Sequence, residues 1–239
     1  MKLLLTGASG HVGTLVIPFL KQKHTLRVLD LRPPADSSVE YHTGSVTDYD
    51  ALRQAAEGMD ALLYMAMNLQ KGLQIDLIQT SFDVNVKGVY LALRAANEKG
   101  IPHAVYTSTM SVYTEPLDLR YFYDEDMPPD AHDLYGLTKR MGEEICRNAY
   151  QRYSMSINVL RLFYPLGREQ WLARAVPGKP TGATDAEDVA RAMLAALEYR
   201  NGFQTFMISG DYENKIMNMR KARRLLNWEP QARPRELKE

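Results

Sequence analysis

Tyr135 and Lys139 stand four positions apart in the run Tyr135-Gly136-Leu137-Thr138-Lys139. On a helix that spacing places both side chains on one face. An ammonium beside a phenol favours the phenolate and lowers its pKa from about 10. Such a tyrosine takes a proton from a hydroxyl group near neutral pH. A bare pair at this spacing is common on ordinary exposed helices, so its setting must give it meaning. Upstream, the run Thr107-Ser108-Thr109-Met110-Ser111-Val112-Tyr113 closes an apolar stretch with hydroxyls. If that stretch is a buried strand, the run lies at its C-terminal end, where open α/β sheets place their chemistry. It then offers a hydroxyl to the same substrate oxygen as Tyr135. Without Tyr135, those hydroxyls read as strand-end caps.

A second constellation opens the chain. Gly7-Ala8-Ser9-Gly10-His11-Val12-Gly13 has the spacing G-x-x-G-x-x-G between an apolar run and an amphipathic one. Missing side chains let the backbone turn tightly and let a pyrophosphate approach the helix N-terminus. Close strand-helix packing alone would also use small residues, but the strand-turn-helix context favours the phosphate reading. Gly7, Ser9, Gly10, His11, Val12 and Gly13 are the candidate cradle, with His11 structural rather than a base. Asp30 follows Gly13 by 17 residues. A carboxylate there accepts both adenosine ribose hydroxyls and repels a ribose phosphate. That favours NAD over NADP, with Arg32 as the counterweight because a guanidinium pairs with such a phosphate. Ser45 and Val46 lie where a third strand delivers residues beside adenine. Ala66 and Met67 form a candidate floor under ribose and pyrophosphate. Thr107, Tyr135 and Lys139 complete the cofactor set, Lys139 through the nicotinamide ribose hydroxyls.

These groups need elements to hold them. Short apolar runs alternate with longer amphipathic segments, the pattern of a mostly parallel sheet with helical crossovers. Strands are expected at Leu3–Thr6, Thr25–Asp30, Ala61–Met65, Ala104–Thr107 and Ser156–Leu162. Helices are expected at Val12–Lys21, Tyr49–Ala56 and Leu134–Tyr153. Asp76–Glu98 reads as one long helix, with Ile78, Phe82, Val86, Val89 and Leu93 on one face. Past Phe163, six Pro and Gly residues up to Gly182 argue for loops, with a short helix at Glu169–Ala175. Asp185–Tyr199 is a helix, Gln204–Ser209 a short strand and Asn218–Leu226 a closing helix. The expected architecture is α/β, a Rossmann-like doubly wound and mostly parallel sheet with a reduced C-terminal substrate cap. Residues 1–162 make the NAD-binding domain, and residues 163–239 make the cap, with elements packing back on the core.

Composition narrows the class. The chain has 239 residues, 45% hydrophobic and 24% charged, enough for a packed core. Lys plus Arg and Asp plus Glu each number 29, so no strongly basic half offers itself to nucleic acid. One cysteine, Cys146, excludes an intramolecular disulfide framework and a cysteine-rich metal site. His103 and His132 lack a second ligand group, so no metal is expected. No apolar run reaches the roughly 18 to 20 residues of a membrane span, and a soluble cytoplasmic protein is the expectation.

With these residues in view, the chain resembles the extended short-chain dehydrogenase/reductase family, in its NAD-dependent epimerase/dehydratase branch. The resemblance rests on Gly7 to Gly13, Asp30, Asn85-Val86-Lys87-Gly88, Thr107 to Tyr113, and Tyr135 with Lys139. Arg161, the Asp185 to Ala196 helix and the Lys221 to Pro230 element also match. It implies NAD as cofactor, Tyr135 as acid/base, Lys139 as its partner and Thr109 as hydrogen-bond donor to the substrate oxygen. It implies that Asn85 contacts the backbone near the active-site turn and helps to place water or Lys139. Family members are often dimers through helices equivalent to Asp76–Glu98 and Leu134–Tyr153, so a homodimer is implied. Departures are visible too. Ser45 stands where the family usually has Asp, Thr114 replaces the usual Gly, and the Arg161 to Gly167 segment is altered.

The short C-terminal part resembles the uronate dehydrogenases, whose substrates are small sugar acids. The Asn-His pair of those enzymes is missing, since Thr109 is followed by Met110. Arg168 or Arg174 would then recognise a carboxylate, because guanidinium matches it bidentately, although solvent-facing loop arginines are at least as simple a reading. Gln70, in the loop after Met67, is a further substrate-side candidate. The leading expectation is NAD-dependent oxidation of a hydroxyl on a small sugar or sugar acid. The alternatives are a (nucleotide-)sugar epimerase and a non-catalytic NAD-binding regulatory protein.

Overall fold

Leu3, Leu4 and Leu5 are buried on successive, opposite sides of one strand, β1 (Lys2–Thr6). Such a continuous apolar run belongs in the middle of a parallel sheet, where both faces are covered. The computed structural model, which describes residues 1–69, 72, 74–114 and 123–235, places it there. On one side β1 pairs with β2 (Thr25–Asp30), which pairs with β3 (Glu40–Thr43). On the other side come β4 (Ala61–Tyr64), β5 (His103–Thr109), β6 (Ser156–Leu162) and β9 (Phe203–Ile208). The order is β3-β2-β1-β4-β5-β6-β9, and every pairing is parallel. The doubly wound, Rossmann-like expectation therefore holds. The strand order reverses direction between β1 and β4, and a crevice opens at such a switch point.

Helices cover both faces. α1 (His11–Leu20) and α7 (Ala186–Glu198) lie against one another, and their buried side chains share one core with alternate residues of β1, β2, β4 and β6. The opposite core takes α2 (Tyr49–Ala56), α4 (Gly88–Glu98) and α5 (Leu134–Tyr153). Caps fix the helix starts. Asp48 accepts from Ala51 N at 3.1 Å and Asp133 from Gly136 N at 3.0 Å.

The expected single helix Asp76–Glu98 is interrupted. α3 (Ile75–Phe82) leads into a π-helical segment, Asp83–Lys87, before α4. Contacts with other parts of the chain accompany the extra residue per turn. Tyr64 donates to Val84 O at 2.8 Å, and the buried Asn85 side chain leaves the helix to pair with Asn68. A π-bulge at such a position commonly marks a functional site. Periodicity of apolar residues does not report it, because the bulge shifts the face by only one position.

The last third holds β7 (Pro165–Leu166), α6 (Arg168–Arg174), β8 (Thr184–Asp185) and α8 (Arg220–Leu226). Trp171 packs with Leu166, Ala175, Ala183 and Ala232 in a small separate core, and its Nε1 donates to Ala183 O at 2.7 Å. β9, from beyond residue 162, completes the main sheet.

Asp188 fastens the C-terminal stretch. Its buried carboxylate accepts from Gln231 N and Ala232 N at 3.0 Å and contacts Arg191, while its carbonyl accepts from Trp228 Nε1 at 3.0 Å. Removing a buried acceptor strands its donors. Asp188→Ala is expected to lose about 3 kcal/mol of stability, read as a lower urea midpoint by the fluorescence of Trp171 and Trp228. An unchanged midpoint would contradict this clamp.

Candidate active site

The strand ends and the glycine turn form one cleft of about 1040 Å³. Gly7 has φ +71°, and a Cβ there would sit 2.2 Å from Ala66 Cα. Only glycine lets β1 turn this tightly against the end of β4. Gly10 precedes the first turn of α1 without capping it by a side chain, which leaves the helix N-terminus open to the cleft. Gly7, Gly10, His11 and Val12 line that wall. Gly13 and Ser9 act behind it. A Cβ on Gly13 would fall 2.1 Å from Ala8 O, so Gly13 serves strand-helix packing. Ser9 N donates to Asp30 Oδ2 at 3.0 Å and Ser9 Oγ to Arg32 O at 2.6 Å, which ties the turn to the end of β2. His11 Nε2 lies 2.8 Å from Pro165 O and links the turn to β7, a structural contact.

Asp30 and Arg32 line the adenosine end of the cleft together with Ser45 and Val46. Arg32 N also donates to Asp30 Oδ1 at 3.3 Å. Ser45 Oγ engages Thr47 at 2.8 Å in a local turn. Ala66 and Met67 line the floor, and Thr107, Ser108 and Tyr135 line the far end. Size, the glycine cradle and a carboxylate at the end of β2 fit a dinucleotide with free ribose hydroxyls. Asp30→Asn keeps an acceptor for Ser9 but removes the charge. It is expected to weaken NAD binding about tenfold and to narrow the gap to NADP, measured by calorimetry with both. Unchanged affinity for NAD would remove Asp30 from the cofactor site.

At the far end, α5 carries Tyr135 and Lys139 on one face, as their spacing requires. The Tyr135 hydroxyl donates to Met67 Sδ at 3.7 Å. Burial pushes the phenol up to about 12, while the Thr109 hydroxyl, within hydrogen-bonding reach, acts the other way and the Asp133 carboxylate adds to the rise. The expectation that Lys139 lowers the phenol is therefore corrected for the free chain. Lys139 Nζ donates to Thr107 O at 2.7 Å and sits 4.2 Å from the centre of the Tyr106 ring. Burial brings that ammonium down to about 7, against the pull of Cys146 and Glu143. The i,i+4 rule brings the two residues to one face, but the local acceptors decide where the ammonium points.

Asn85 makes the backbone contact that the resemblance implies, without a bond to Lys139. Its Nδ2 donates to Asn68 O at 2.9 Å and to Thr138 Oγ1 at 3.0 Å, and its Oδ1 accepts from Asn68 N at 2.8 Å. It braces the loop after Met67 against α5, and its hydrogen bonds go to Asn68 and Thr138, not to Lys139.

Sequence reasoning missed Glu143 and Ser108. Glu143 Oε1 accepts from Ser108 Oγ at 2.6 Å and from Arg161 Nε at 3.0 Å, and its Oε2 accepts from Arg161 Nη2 at 2.7 Å. Arg161 also donates to the Tyr113 hydroxyl. This buried set joins α5 to β5 and β6. Its signal was present, since Glu143 stands four residues after Lys139 on the face that carries Tyr135.

A second cavity of about 460 Å³ adjoins the cleft. Thr109, Met110, Ser111, Lys179 and Thr181 are among the residues that line it. Leu162, Tyr164 and Arg174 line both cavities. Arg174 lies 4.8 Å from the centre of the Tyr164 ring and donates to its hydroxyl at 3.3 Å. Tyr164 has φ +39°, unusual for a bulky residue and common where function imposes it. Of the two candidate arginines, Arg174 reaches this boundary. Arg168 does not: it lies 3.5 Å from Asp185 and over Trp171, lining neither cavity. Gln70 lies outside the described residues. Among the described residues no group of three or more His, Cys, Asp and Glu could hold a metal, and no helix is long and apolar enough to cross a membrane.

The model of the NAD dependent epimerase/dehydratase family matches residues 3–181 of this chain. The chain belongs to that family. Its members, by that description, depend on NAD, and the cleft built here fits that cofactor. The chain is 28% identical over 188 residues to UDP-glucose 4-epimerase of Neisseria meningitidis serogroup B, covering 71% of this chain and 54% of the relative. It is 27% identical over 172 residues to uronate dehydrogenase of Pseudomonas syringae pv. tomato, covering 67% and 58%. Its fold matches a short-chain dehydrogenase/reductase superfamily protein of Agrobacterium tumefaciens solved with bound NAD, with TM-score 0.82, 22% identity, and coverage of 97% and 93%. The chain spans about half the length of the first curated relatives it matches.

Proposed function

We propose that the chain is an NAD-dependent oxidoreductase that oxidises a hydroxyl of a small sugar or sugar acid. One observation carries this reading. Tyr135 faces the dinucleotide cleft, and the Thr109 hydroxyl within its reach lines the adjoining small cavity. A reacting hydroxyl between them meets an acid/base and a donor at once.

NAD, when bound, supplies the hydride acceptor. The turn Gly7 to Val12 would hold its pyrophosphate, and Asp30 its adenosine ribose. Tyr135 takes the hydroxyl proton as the carbon is oxidised. Thr109 donates a hydrogen bond to the oxygen that becomes a carbonyl. Lys139, buried behind the cleft with its Nζ on Thr107 O, would hold the nicotinamide ribose hydroxyls and, when charged, would favour the phenolate. Arg174 and the cap around it form the substrate wall. A cavity of about 460 Å³ suits a monosaccharide better than a nucleotide-linked sugar.

The test is NADH formation across uronic acids, aldoses, small polyols and nucleotide sugars. Net NADH supports a dehydrogenase. Isomerised sugar without net NADH favours the epimerase reading, which the family description also supports. Tight NAD binding with neither outcome would favour a non-catalytic NAD-binding protein. A homodimer through α4 and α5 belongs to the same proposal. It is supported by the exposed apolar side chains Tyr90, Leu137 and Met141 on those helices. A monomeric mass by light scattering would count against it.

A further inference from the structure

We propose that Met67 is a site of reversible oxidation that switches off Tyr135. Its thioether is the hydrogen-bond acceptor of the Tyr135 hydroxyl, at 3.7 Å. It is 42% exposed and lines the open dinucleotide cleft, so a small oxidant reaches it. The chain has 12 methionines. Among those described, Met1 and Met141 are comparably exposed at 38%, and neither lines the cleft. Met65, beside Met67 in the chain, is 5% exposed.

The oxidant is a hydroperoxide. A sulfur lone pair attacks one peroxide oxygen, an S–O bond forms and the O–O bond breaks. Sulfur loses two electrons, the peroxide is reduced, and water or an alcohol leaves. The reverse step needs two thiols and a sulfoxide reductase, which yield thioether, disulfide and water. The consequence follows from hydrogen-bond strength. A thioether is a weak acceptor, whereas a sulfoxide oxygen is a strong and polar one. Placed against the phenol, it holds the proton that the general base must lose. It also makes an apolar part of the cleft floor polar and bulkier.

The proposal rests on Tyr135 as the acid/base, and a binding readout separates its failure from the failure of that role. Protein without added NAD is treated with graded hydrogen peroxide. Peptide mass mapping follows each methionine, and turnover and NAD affinity are measured on the same samples. The expected result is that Met67 gains one oxygen before Met1. Turnover should fall about tenfold or more in step with Met67 oxidation. NAD affinity should weaken several-fold, which is readable even without a known substrate. Methionine sulfoxide reductase with dithiothreitol should restore both. Met67→Leu, compared with its own untreated value, should resist peroxide. Met67 remaining reduced while Met1 is oxidised would overturn the proposal. So would full oxidation of Met67 with NAD affinity and turnover unchanged.

Discussion

Tyr135→Phe is expected to lower turnover by about 10² to 10⁴-fold while NAD still binds. The substitution removes one oxygen. Among the described residues that hydroxyl engages a thioether and the Thr109 hydroxyl, so little folding energy depends on it. The cofactor contacts expected of Gly7 to Val12 and of Asp30 are untouched. Calorimetry should give an NAD affinity within a few-fold of the parent, and the thermal midpoint should hold. Turnover like that of the parent would remove Tyr135 from the chemistry and with it the central assignment. A collapse in both turnover and thermal midpoint would point to structure rather than proton transfer.

Lys139→Met should be inactive and yet more stable below neutral pH. Lys139 is buried, and burial takes its ammonium from the ordinary value of 10.5 down to about 7. Between those values the unfolded chain binds the proton that the folded chain has released. Stability therefore rises with pH across that window, and the burial penalty is fully present below about pH 7. A gap of that size has a ceiling near 5 kcal/mol. Methionine also loses the bond to Thr107 O and the contact with the Tyr106 ring, which offset part of the gain. A net gain of about 2 kcal/mol is expected at pH 6, shrinking as pH rises above about 7 and turning into a net loss by about pH 10, where the penalty is gone and the lost contacts remain. Urea unfolding of both proteins across that range measures it. Lower stability of the variant at every pH would show that the ammonium is satisfied better than its surroundings suggest. The loss of turnover, about 100-fold or more, follows from losing the charge that favours phenolate. A lysine kept at a cost to the free fold is the usual trade between stability and activity.

Much of this molecule is legible in one dimension. Leu3-Leu4-Leu5, the glycine turn and Asp30 declare a parallel strand, a tight turn and a carboxylate at the cleft, because each depends on neighbours close in sequence. Tyr135 and Lys139 share a face for the same reason. Pairwise geometry within one helix turn or one strand end is set locally, so residue type and spacing suffice. The interrupted helix at Asp83–Lys87 was not legible, since it depends on Tyr64 and Asn68 arriving from another element. Arg168 and Arg174 lie in the same short helix and are chemically equal as text. Only the packing of α6, through its Trp171, against Leu166 and Ala183 turns one toward Asp185 and the other to the boundary of the two cavities. The direction of Lys139 and the protonation of Tyr135 belong to that second class too. Burial and the position of Thr107 O come from how β5 and α5 pack, and desolvation outweighs a favourable spacing when the nearest acceptor lies elsewhere. The sequence determined the elements and the reactive pair; the tertiary structure decided the partners, because charge and contact depend on what long-range packing excludes from water.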